Sequence, residues 1–147
     1  DFEDKIINSK IALDENLNQV RANIVAKKIE NFARSYRKVI LVYPVPNPGL
    51  DVPNYIVKRR MLGDKDFILK VPYEIFVARN KEVYSALDSI KTNIHRVYPS
   101  NLYCETDKVK NCTTVLNGQT LYYDTNHLSN YGASLLMPSI GSFLIKK

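Results

Sequence analysis

The 147-residue chain has no tryptophan and only two cysteines and two histidines. The spacing of those four side chains matches no zinc pattern, so no metal site is expected. No apolar run approaches the roughly 20 residues that a membrane-spanning helix needs. Nor does the apolar core of a secretory leader follow the acidic start Asp1-Phe2-Glu3-Asp4. Internal repeats and low-complexity tracts are lacking too. The hydrophobic fraction of 45% and charged fraction of 24% are those of an ordinary globular protein and exclude a disordered chain. Nothing in the composition divides the chain, so it reads as one domain or part of one.

Acidic residues are in deficit, 15 against 21 Lys and Arg, which leaves a net charge of +6. Such a surplus is compatible with nucleic acid, anionic lipid or acidic polysaccharide and does not choose among them. The basic residues fall in short clusters, Lys27-Lys28, Arg34 with Arg37-Lys38, Lys58-Arg59-Arg60 and Lys146-Lys147. No nucleic-acid motif or interleaved stacking aromatics accompany them, so they read as solvated surface and no nucleic-acid partner is expected.

What is present is an α/β pattern. From Leu13, apolar residues recur at Leu17, Val20, Ile24, Ile29, Phe32, Ala33 and Tyr36, a helical spacing. The period then changes at Val39-Ile40-Leu41-Val42-Tyr43, a short β-branched run of the kind found in strands buried on both faces. The prolines from Pro44 to Pro53 can continue neither element. That segment is a loop at the strand's carboxyl end, either the wall of a site or a rigid surface connection.

Residues 54 to 70 are ambiguous, with a break at Gly63-Asp64-Lys65-Asp66. Pro72 suits the first turn of a helix carrying Tyr73, Phe76, Val77, Tyr84, Leu87 and Ile90 on one face. A second strand spans Ile94 to Tyr98, with His95 structural within it. Asn117-Gly118, between two β-rich runs, predicts a hairpin. Ser129 is placed to cap a last helix that contains Pro138. Cys104 and Cys112 flank a polar segment; they are either a disulfide, worth on the order of 2–3 kcal/mol for so short a loop, or two free thiols.

One stretch reads as chemistry: Tyr123-Asp124-Thr125-Asn126-His127-Leu128-Ser129. A histidine is a general base near neutral pH, and a carboxylate close to it fixes its tautomer and stabilises the imidazolium. What the stretch lacks is a nucleophile. None of the nine serines lies in Gly-Asp-Ser or Gly-x-Ser-x-Gly; Ser129 reads as a helix cap and Ser142 belongs to the terminal helix. The inventory is also short of strands for an average sheet.

The order strand, Asp-x-x-His, capped helix resembles the last block of the SGNH hydrolases. The run ending in Pro44-Val45-Pro46, Gly49-Leu50-Asp51-Val52-Pro53, Pro99-Ser100-Asn101-Leu102-Tyr103-Cys104, Cys112, Leu121 through Ser129 and Gly132-Ala133 together resemble the C-terminal SGNH domain of membrane-bound acyltransferases of the acyltransferase-three family. The resemblance runs from about residue 13 to the end. It implies a flavodoxin-like three-layer α/β/α fold with a parallel sheet, of which residues 1–147 are the C-terminal part lacking the N-terminal strands. It implies His127 as base and Asp124 as its orienting acid, a serine nucleophile upstream of Asp1, and a Cys104–Cys112 disulfide.

The activity it implies is O-acylation, commonly acetylation, of a cell-surface polysaccharide, with no cofactor in this domain. The partners it implies are the N-terminal part of the same domain, the integral-membrane acyltransferase domain of the parent and the polysaccharide acceptor, at the periplasmic face of the inner membrane. The alternative reading is a non-catalytic glycan-binding or docking module that keeps the SGNH shape.

Overall fold

A computed structural model describes residues 15–104 and 111–145. The expectations about the first turn from Leu13, the polar residues 105–110 between the cysteines, and Lys146-Lys147 lie outside the described residues. The chain forms two compact units, one from residues 15–43 with 77–97 and the other from residues 44–76 with 98–145. Among the described residues no helix is long and apolar enough to cross a membrane.

The first unit opens with helix α1, Glu15–Arg34, and strand β1, Ile40–Val42, as the change of period predicts. Strand β3, His95–Val97, lies parallel to β1 with Ile40 opposite His95 and Val42 opposite Val97. This parallel pair is the α/β feature that the sequence leads one to expect, and His95 sits in its ladder. Two details differ. Alanines rather than bulky residues face inward on α1: Ala22, Ala26 and Ala33 are buried, while Leu17, Val20, Ile24 and Phe32 are exposed, as is Tyr36 just beyond the helix. Ala22 to Ala26 to Ala33 is itself a helical spacing of 4 and 7. Nor is β1 buried on both faces. Ile40 and Leu41 are half-buried and Val42 is exposed, and among the described residues β1 pairs with β3 alone.

At the carboxyl end of β1, Tyr43 is buried. Its hydroxyl donates to Asp88 Oδ1 at 2.7 Å and accepts from Arg96 Nε at 3.2 Å. A second Arg96 nitrogen donates to the Ile90 carbonyl at 2.9 Å. The Tyr43 hydroxyl, Asp88 and Arg96 thereby satisfy one another.

The second unit holds helix α2, Val52–Met61, and strand β2, Lys70–Pro72. Asp51 caps α2 by accepting from the Asn54 N–H at 3.1 Å, with Pro53 in the first turn where its missing donor costs nothing. Strand β2 runs antiparallel to β4, Asn111–Thr113, with Val71 opposite Cys112. Cys112 is joined by a disulfide to Cys104, at the end of the short helix α4, Ser100–Tyr103. Pro72 closes β2 and leads directly into helix α3, Tyr73–Asp88. Of the face expected on that helix, Phe76 and Leu87 are buried, as is Ile90 just beyond it; Val77 is exposed.

Strands β5, Val115–Leu116, and β6, Gln119–Thr120, form the expected hairpin. Asn117 and Gly118 both take positive φ, 49° and 76°, the conformation a two-residue turn needs to match the strand twist. Helix α5, Asn130–Ile145, closes the chain and contains Pro138.

Candidate active site

The loop between β6 and α5 is built from its root upward. Leu121 and Tyr122 are almost wholly buried. Leu121 N–H donates to the Thr114 carbonyl, and Leu121's own carbonyl accepts from Ser129 N–H, each at 2.9 Å. Tyr123 N–H donates to the His127 carbonyl at 2.9 Å, and Tyr122 bridges Leu128 in antiparallel fashion. Residues 123 to 127 are therefore a closed reversal standing on a short ladder.

Ser129 is the cap its position predicts. Its Oγ accepts from Gly132 N–H at 3.0 Å and donates to the Thr120 carbonyl at 2.7 Å, so one hydroxyl fastens the start of α5 to the end of β6. At Gly132 the backbones meet: a Cβ there would lie 2.3 Å from the Leu121 carbonyl oxygen. The Gly132 carbonyl accepts from the buried Tyr103 hydroxyl at 2.7 Å. The Tyr122 hydroxyl donates to the Pro46 carbonyl, tying the loop's root to the proline-rich segment, in which Pro46 and Pro48 are buried. That segment is tied to the root of the loop. Burial pushes both tyrosines above the ordinary phenol range, Tyr103 to about 12.

At the top of the loop, Asp124 Oδ1 accepts from the backbone N–H of Asn126 at 2.9 Å and of His127 at 2.8 Å. These bonds and the His127 ring hold its carboxyl below the usual carboxylate range, at about 2. Asp124 is consequently ionised at neutral pH and can only accept. Its Oδ2 lies 2.8 Å from His127 Nδ1, which makes Nδ1 the donor and leaves Nε2 of the neutral ring with a free lone pair. Asp-x-x-His permits this because one oxygen satisfies the turn and the other the imidazole.

The sequence-predicted pair is brought together. The His127 side chain is 73% exposed, and none of the described residues hydrogen-bonds Nε2. Ser129 is occupied as a cap, and Ser134 and Ser142 bond to carbonyls of their own helix. Among the described residues no group of three His, Cys, Asp or Glu side chains could hold a metal ion.

A family model described as "SGNH domain (fused to AT3 domains)" matches residues 3–141. The chain belongs to this SGNH family. Membership carries an acyltransferase- or esterase-like role at the level of the family, and fusion to acyltransferase-three (AT3) domains is the context in which these SGNH domains occur. No curated protein and no solved structure matches the chain significantly. What sequence reasoning missed in this candidate site is its support, namely Tyr122 on Pro46, Tyr103 on the Gly132 carbonyl and Gly132 against Leu121. Only Gly132 left a signal, a glycine in the first turn of a helix, where it is otherwise costly.

Proposed function

We propose that this SGNH domain is an O-acyltransferase or esterase that works through a Ser-His-Asp triad, with His127 as base and Asp124 as its orienting acid. The observation that carries the reading is the 2.8 Å bond between His127 Nδ1 and an ionised Asp124, which leaves Nε2 ready to take a proton. Nε2 removes the serine proton as the serine oxygen attacks the acyl carbonyl carbon. Collapse of the tetrahedral intermediate expels the donor's leaving group, which receives that proton, and an acyl-serine remains. A glycan hydroxyl then gives its proton to Nε2 and attacks the acyl-serine, and the serine leaves reprotonated. Asp124 stays ionised throughout and stabilises the imidazolium.

None of the nine serines carries the family's motif, so the nucleophile is assigned to parent sequence outside these 147 residues. The same sequence supplies the further strands that extend β1 and β3 into a three-layer sandwich, which makes residues 1–147 the C-terminal part of one domain. The parent's membrane acyltransferase domain delivers the acyl group at the periplasmic face, and the acceptor is a surface polysaccharide. Family-level fusion to AT3 domains supports that partnership.

The test joins this chain to the parent segment bearing Gly-Asp-Ser and follows release of acetate from a chromogenic ester. His127→Ala and Asp124→Asn each lower turnover about 10³-fold or more; unchanged turnover removes the triad assignment. A parent without Gly-Asp-Ser leaves the non-catalytic glycan-binding or docking module as the reading.

A further inference from the structure

The carboxyl end of α2 carries a feature for which acyl transfer has no use. Met61 and Leu62 are 83% and 76% exposed, the most exposed large apolar side chains among the described residues, and Val57, one turn back from Met61, is exposed as well. Near them in the sequence, Lys58, Arg60 and Lys65 are exposed cations. Between Lys58 and Lys70 five basic residues face two acidic ones, Asp64 and Asp66, a local surplus of three (5 − 2).

The apex is held in shape. Arg59 Nη2 donates to Asp64 Oδ2 at 3.0 Å while its guanidinium lies 4.8 Å from the centre of the Phe67 ring. Leu62 N–H donates to the Lys58 and Arg59 carbonyls at 3.2 and 3.1 Å, and Gly63 N–H to the Arg60 carbonyl at 3.1 Å. Gly63 turns the chain with φ at 99°, a conformation that favours glycine. Thus Arg59 and Asp64 neutralise each other, and Lys58 and Arg60 remain beside the two exposed apolar side chains.

We infer that this apex is a membrane-surface contact in which Met61 and Leu62 enter the acyl-chain boundary of an anionic bilayer while Lys58 and Arg60 lie on its phosphates. A solvated charged surface does not require two bulky apolar side chains at its tip. A soluble polyanion meets only the charges, and a neutral bilayer only the apolar pair. An anionic bilayer meets both, and a protruding shape suits insertion where a groove suits a peptide. Ten residues of α2 separate the apex from the Asp51 cap, roughly 15 Å at about 1.5 Å per residue, so the contact leaves the proline-rich segment uncovered. The inference does not depend on the acyl-transfer reading.

The 147-residue chain is sedimented with vesicles of phosphatidylglycerol and phosphatidylcholine, and with vesicles of phosphatidylcholine alone. The expected result is binding to the anionic vesicles that weakens as salt is raised, and little to the neutral ones. Lys58→Gln with Arg60→Gln lowers the partition coefficient roughly thirtyfold, about fivefold per charge. Met61→Ser with Leu62→Ser lowers it at least about tenfold with every charge kept. All four side chains are exposed, and each variant is compared with the parent by circular dichroism to establish that its fold is unchanged. Absence of binding by the folded chain overturns the inference. Loss with the charge pair and none with the apolar pair identifies a polyanion contact and overturns the bilayer. Vesicle binding indifferent to both pairs also overturns it.

Discussion

Gly132 stands against Leu121 so closely that a single added methyl group would lie 2.3 Å from the Leu121 carbonyl oxygen. That carbonyl is fixed by the Ser129 N–H, and the atom it would meet is backbone, which cannot rotate away. Gly132→Ala therefore forces the start of α5 away from the loop's root. Overpacking of this kind costs about 1–3 kcal/mol. A thermal melt is expected to show a midpoint lower by roughly 4–12 °C for a chain of this size. A midpoint within a degree of the parent would mean that the close approach is not enforced.

The two buried tyrosines beneath the site predict an alkaline limit. Burial raises both phenols, Tyr103 to about 12. A group whose folded pKa is raised contributes stability that is complete below its ordinary value near 10 and is lost as pH rises toward the folded value. Stability should hold up to about pH 10 and fall between about 10 and 12. Tyr103→Phe and Tyr122→Phe flatten that fall. Tyr103→Phe also removes a buried bond to the Gly132 carbonyl, and Tyr122→Phe strands the Pro46 carbonyl, at about 1–3 kcal/mol if it stays unsatisfied. Denaturant melts at pH 8 and pH 11 separate the two effects.

The acid side has the opposite sign. The Asp124 carboxyl is depressed to about 2, so the bonds it accepts are complete above the ordinary carboxylate value and are lost as pH falls through about 2. In a nitrogen–proton correlation spectrum the Asn126 and His127 amides should keep their shifts down to about pH 3 and move together near pH 2. A midpoint near 4 would show that the Asx turn is not formed in solution. Asp124→Asn abolishes the transition.

Much of this was legible in the sequence, and the reasons differ by element. The Leu121–Ser129 stretch could be read because its parts are local: a carboxylate, a turn and a histidine within four residues, then a serine at a helix start. Helix α1 was legible by its spacing, but its inward face was not, since buried alanines give a weaker apolar signal than the exposed leucine, valine and phenylalanine beside them. Strands β2 and β4 are three residues each, and their pairing joins Val71 to Cys112 across 41 positions (112 − 71); no periodicity develops over three residues. The Tyr122 bond to Pro46 spans 76 positions and had no local trace at all. Arg59 was read with its neighbours as solvated surface, whereas Asp64 and Phe67 engage it.

The bond between Cys104 and Cys112 holds α4 to β4, one residue from the Tyr103 that supports Gly132. Reduction or Cys112→Ser is expected to destabilise the chain by about 2–3 kcal/mol, the closure term for so short a loop. Melts with and without a thiol reductant measure this, and a midpoint unmoved by reduction would show that the bridge adds nothing to stability.

The central claim is that His127 activates a serine through the nitrogen that Asp124 leaves free. The most direct measurement is intact-mass spectrometry of the domain joined to its Gly-Asp-Ser segment, quenched within seconds of mixing with an activated acetyl ester. The account predicts one acetyl adduct, mapped to that serine, which forms in the parent and is slowed about 10³-fold or more by His127→Ala. An adduct that forms as fast in His127→Ala as in the parent would contradict it.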